Sequence, residues 1–155
     1  MKSPTKITVE AVTAYRVWHV EHDGTLHALF NDFQWPVREP AIASSFGVVD
    51  GFHAYASPER AWSAISEIWD EAPHLYLAVG AVALFGEVSE QGDCYRASRA
   101  YPLTLWATYD QETNGRARLA ADRYGIEYAA RPLEAFDPPF ELANREEHCY
   151  EPPAY

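Results

Sequence analysis

The sequence predicts a single α+β domain: a mainly antiparallel sheet, two main helices and a proline-rich acidic C-terminal tail. Three observations predict it. The stretch from Leu75 to Pro102, LYLAVGAVALFGEVSEQGDCYRASRAYP, reads as two strands joined at Glu90-Gln91-Gly92-Asp93. Ser57-Pro58-Glu59 opens a helix with a capping serine, a proline at the first helical position and a carboxylate at the positive end of the dipole. From Arg131 onward, five prolines break any regular pattern. The expected division is a domain over 1–130 and an extended tail over 131–155.

The central hairpin organises the rest. Along its first strand Val82, Leu84 and Val88 share one phase, and Val79, Ala81, Ala83 and Phe85 share the other. A strand apolar in both phases is expected to be covered on both faces. Gly80 and Gly86 mark places where another backbone or a ligand comes close. In the second strand Arg96 and Arg99 interrupt Tyr95, Ala97, Ala100 and Tyr101, and Pro102 is expected to stop it.

Before the hairpin, Val12, Ala14, Arg16, Trp18 and Val20 fall in one phase and Thr13, Tyr15, Val17 and His19 in the other, so Tyr15–Val20 is a strand. Glu21-His22-Asp23-Gly24 is a turn, and Thr25–Phe30 returns as a second strand. In the loop over Asn31–Pro40, Phe33 and Trp35 are expected to plug the core. Gly51–Ala56 is a short strand. The helix that follows turns Ala61, Ile65, Ile68 and Trp69 to one face, with Trp62 at its edge. Beyond the hairpin, Leu103–Thr108 reads as a further strand. A second helix runs from an Asp110 cap to Tyr124, with Gly125 at its C-cap, and Ile126–Tyr128 follows as an edge strand.

Composition bounds the function. The formal charge of −11 disfavours a phosphate-backbone binder, so nucleic acid is not an expected partner. That charge, with 14% aromatic residues, suits contact with a protein partner. Cys94 and Cys149 belong to no Cys-x-x-Cys motif, and Met1–Glu10 holds no apolar leader core. The longest apolar stretch, Leu75–Phe85, is too short for a membrane span. A cytoplasmic protein with no membrane partner is expected.

Candidate chemistry is sparse. His19, His22 and His27 cluster on one hairpin, but neither their spacing nor a neighbouring cysteine supports a metal site; they are expected as turn histidines. His53 sits on a strand just before a helix N-terminus, where anions are favoured, with Tyr55 in phase. Arg96 and Arg99 suit a carboxylate or phosphate, or simple pairing with Glu87 or Glu90. His53, Tyr55, Arg96 and Arg99 are therefore the candidate ligand-binding residues, for a small anionic ligand. No catalytic residue, metal ligand or cofactor is assigned. The first expectation is a non-enzymatic acidic binding protein that modulates or inhibits a protein partner; the alternative is a small-ligand or nucleotide-binding protein.

Tyr15–Trp18 (Tyr-Arg-Val-Trp), Gly51–Ala54 (Gly-Phe-His-Ala), Phe85–Val88 (Phe-Gly-Glu-Val), Tyr95–Ala97 and Ala100–Pro102 occur in an order that resembles a group of short actinobacterial and actinophage proteins. The resemblance spans Tyr15 to Gly125. In that group cysteines often precede the Gly-x-His-Ala piece, where this chain has Val48, Val49 and Asp50, so no thiol or metal role carries over. The resemblance implies a fold and a phage or mobile-element setting, and no activity. A fainter likeness is to ADP-ribosyltransferase-like folds, in which Arg16, His53, Tyr55 and Glu87 would fill the functional positions.

Overall fold

The computed structural model describes residues 5–7, 11–29, 33–43, 51–106 and 111–129. In chain order the elements are β1 (Thr5–Ile7), β2 (Val12–Val20), β3 (Leu26–His27), β4 (Ala41–Ile42), β5 (Phe52–Tyr55), α1 (Pro58–Glu71), β6 (Leu77–Gln91), β7 (Cys94–Trp106), α2 (Gln111–Tyr124) and β8 (Glu127–Ala129). This is the expected α+β architecture. Pairing is antiparallel throughout except for β8, which runs parallel to β7. The expected tail and the Asp110 cap lie outside the described residues.

The β6–β7 hairpin is the spine. One edge of β6 takes β2 along Leu77–Leu84 and β1 along Val88–Glu90. The free edge of β7 takes β5, then β4, then β8. β5 also meets β2 through one residue pair, Tyr15 and Tyr55. The path β2–β6–β7–β5 therefore closes on itself, and the sheet has an inner and an outer face.

The inner face holds the larger core. Trp18, Leu26, Trp35, Phe52, Val82, Leu84 and Leu105 lie there, and α2 packs on it through Ala117, Ala120, Ala121 and Tyr124. Small side chains on that stripe let the helix approach closely. Trp35 plugs this core as expected, edge-on to Trp18 at 5.5 Å and tilted against Phe52 at 5.1 Å. Aromatic pairs in such geometries add to the gain from burial alone.

The outer face is covered in part by α1. Its Ala61, Trp62, Ala64, Ile65 and Ile68 pack on Val17, Tyr55, Leu77 and Val79. Ser57 caps the helix as expected, its Oγ accepting the Arg60 N–H at 3.3 Å, with Pro58 in the first position. The two tryptophans of this helix exchange the expected roles. Trp62 is buried, whereas Trp69, near the C-terminal end, is 43% exposed.

Three further expectations are corrected. Burial on both faces holds for Leu77–Val82 but not as far as Val88: from Ala83 onward the residues other than Leu84 and Val88 are half-buried or exposed. Pro102 does not stop β7, and Leu103–Thr108 is not a separate strand up to Trp106, because β7 runs through both. The register explains it. Ala81 faces Thr104 while Val82 faces Pro102, so Leu103 is an extra residue, and a bulge is where a strand tolerates a residue with no N–H. Among the described residues, the strand expected over Thr25–Phe30 covers only Leu26–His27, and Phe30 lies outside them. The close approach expected at Gly80 is found: a side chain there would run into the Thr104 carbonyl.

Candidate functional site

Strand parity places the candidate residues. Phe52 and Ala54 point into the inner core, so His53 and Tyr55 belong to the outer face. Across the ladder His53 faces Arg96 and Tyr55 faces Cys94. Arg99 lies farther along the same face, in a row with Phe85 and Ile42. All four residues thus share one face, and His53 and Arg96 are direct neighbours.

Access divides them. His53 and Tyr55 are buried, at 8% and 7% exposure, Arg96 is half-buried and Arg99 is exposed. The Arg60 guanidinium of α1 stands 6.0 Å from the Tyr55 ring centroid and its Nε is 2.7 Å from Asp93 Oδ2. Tyr55 is therefore a packing residue beneath α1. The residues directly opposite Arg96 and Arg99 on β6 are Ser89 and Phe85, not Glu87 or Glu90. Glu87 falls within the irregular stretch of that ladder, where its N–H donates to Ser98 Oγ at 3.0 Å.

Arg16 is on the opposite side of the sheet. It is 5% exposed, its Nη1 donates to the His53 carbonyl at 2.7 Å, and its guanidinium lies 5.1 Å from the Trp35 ring centroid. A guanidinium held by a carbonyl and an aromatic face satisfies part of its large desolvation cost. The phase Ala14, Arg16, Trp18 already signals this position, since it places a cation in the middle of an apolar row. Arg16 and the pair His53 and Tyr55 thus face opposite ways, and Glu87 is exposed at the far end of β6.

The histidine hairpin has a structural role at His19. Its Nδ1 accepts the Tyr76 N–H at 3.1 Å, which leaves the proton on Nε2 to be donated to Glu21 Oε2 at 3.2 Å. Burial holds its pKa below the ordinary value, outweighing the opposite pull of Glu21. Among the described residues, no three His, Cys, Asp or Glu side chains are placed to hold a metal ion. Cys94 is buried and its thiol donates to the Gln91 carbonyl at 3.4 Å. Near the β2–β3 turn, an open groove of about 260 Å³ is lined by His22, Gln111, Glu112, Gly115, Arg116 and Leu119, and by none of the four candidates.

Arginine clamps were the least visible feature in the sequence. Arg116 covers the Tyr76 ring at 3.6 Å and donates to the Val20 carbonyl at 3.0 Å. Arg38, itself at φ 64, donates to the carbonyls of Asp122 and Arg123 at the C-terminal end of α2. That is a cation at the negative end of a helix dipole. Gly125 follows with φ 70, and any side chain there would strike the Arg38 guanidinium. The i,i+4 spacing of Glu112 and Arg116 is the one local signal that pointed to such a contact. No helix among the described residues is long and apolar enough to cross a membrane. No protein-family model matches the chain, and no curated protein and no solved structure matches it significantly.

Proposed function

We propose that the protein is a non-enzymatic acidic binding protein that engages a protein partner and modulates or inhibits it, in a phage or mobile-element setting. One observation carries this reading: among the described residues, exposed carboxylates outnumber exposed guanidinium groups, and many of the arginines are engaged by the chain's own carbonyls, carboxylates and rings. Arg16 is within the core, Arg60 is held by Asp93, Arg38 caps α2, and Arg116 and Arg118 lie over Tyr76 and Tyr128. Glu59, Asp70, Glu71, Glu90, Asp122 and Glu127 are exposed. With a net charge of −11, that excess of carboxylates leaves a negative field outside. Such a field steers basic protein surfaces and suppresses acidic ones.

The test is salt dependence. The full chain is used to capture a partner, and binding to the purified partner is then measured as salt is raised. Affinity should fall, chiefly through a slower on-rate. Binding indifferent to salt, or no partner at all, would overturn the proposal.

A further inference from the structure

Helix α1 covers one half of the outer face of the sheet, packing on Val17, Tyr55, Leu77 and Val79. The other half carries a patch that, among the described residues, belongs to neither core. Two cross-strand rows make it. Ala83 lies opposite Tyr101, and Phe85 lies opposite Arg99, which pairs on its far side with Ile42. Ile42 is 49% exposed, Arg99 is exposed, and Phe85 and Tyr101 are half-buried. An apolar sheet face with a guanidinium set between its rings and side chains suits a segment that brings aromatic residues together with carboxylates.

Charge and reach identify that segment within this chain. Residues 131–155 hold six carboxylates against two arginines, and Phe136-Asp137-Pro138-Pro139-Phe140-Glu141 sets an acid directly after each of two phenylalanines. The last described residue, Ala129, is in register with Trp106 on the edge of the same sheet. From Trp106 the patch lies about 15–20 Å back along β7. Phe136 and Phe140 follow Ala129 by seven and eleven residues, enough chain to span about 23 Å and about 36 Å. The tether makes the contact intramolecular, at an effective concentration in the millimolar range, which a segment of another molecule does not have. The proline pair lowers the freedom lost on docking.

We infer that segment 136–141 folds back on this half of the sheet, with its two phenylalanines on Phe85, Tyr101 and Ile42 and its carboxylates toward Arg99. It would close the open half of the outer face as α1 closes the other. The inference stands apart from the identity of any protein partner.

The test is paramagnetic broadening of amide signals in the full chain. A nitroxide is placed on Asn144→Cys in a Cys149→Ser chain, where the remaining thiol, Cys94, is buried. The amides of Ala83, Phe85, Arg99 and Tyr101 should lose most of their intensity, and those of α2, on the inner side of the sheet, should keep theirs. Phe136→Ser with Phe140→Ser should restore the intensity in full. Arg99→Gln should restore it in part, and so should Asp137→Asn with Glu141→Gln. Glu146→Gln with Glu147→Gln removes the same charge farther along and should restore none. Absent or evenly spread broadening, or broadening that survives the loss of both phenylalanines, would overturn the inference. Broadening carried from a labelled chain to an unlabelled one in a mixture would also overturn it, and would mark this face as a contact between copies.

Discussion

The Tyr124 hydroxyl accepts the Leu26 N–H at 3.0 Å and donates to the Trp35 carbonyl at 2.7 Å. One side chain of α2 thereby holds the end of the first hairpin and the loop that plugs the core. Its burial raises its pKa above the ordinary phenol value, and it serves as a neutral donor. Tyr124→Phe leaves a buried N–H and a buried carbonyl without that partner. Thermal or urea unfolding should show a loss of about 2–3 kcal/mol with the fold retained. Nothing local in the sequence announces this bond, because its partners lie 98 and 89 residues away. The same separation in sequence hid Arg38 and Arg116. By contrast, Trp35 was legible, since a tryptophan and a phenylalanine in an otherwise polar loop have few alternatives to the core.

Among the elements, α1 and the central hairpin were readable because their signals are local. Ser57, Pro58 and Glu59 fix the helix start, and Ser57→Ala should cost about 1 kcal/mol in chemical denaturation without altering the β-sheet. The hairpin was legible in its two apolar phases, which map onto two separate cores. Its limits were not. Pro102 punctuates a sequence, but a bulge absorbs it in three dimensions. Periodicity ranks Trp69 above Trp62, the reverse of the observed burial, because both lie near the edge of the apolar stripe. Which of them is covered depends on where the sheet beneath the helix ends. For the candidate site, strand parity correctly grouped His53 with Tyr55 and the register joined His53 to Arg96. The burial of His53 and Tyr55 was invisible because it comes from tertiary packing, with α1 folding back over that face in the case of Tyr55.

At the scale of the molecule, pH should act through His19. Its neutral ring accepts from the Tyr76 main chain, contacts Glu21, and lies near His27 and Arg116, so a second proton breaks one bond and adds repulsion. The folded state therefore binds this proton less readily than the unfolded chain. The contribution is complete above the ordinary imidazole value of 6.5 and is lost as the pH falls through 6.5 toward the lower folded value. Melting temperatures recorded between about pH 7.5 and about pH 5.5 should decline. His19→Asn keeps an acceptor for Tyr76 without a titrating ring and should flatten that part of the decline.

The closed path of strands joins its two ends through one ladder pair, Tyr15 and Tyr55, and the Arg16 bond to the His53 carbonyl, whereas β6 and β7 are zipped along nearly their whole length. The sheet is thus a cylinder with one stitched seam. A transient opening there need not disturb the hairpin. It would loosen β5, still held on β7, and with it the packing of α1 over Tyr55. Only Ala56 and Ser57 separate β5 from α1, so a change at the seam reaches the start of the helix directly.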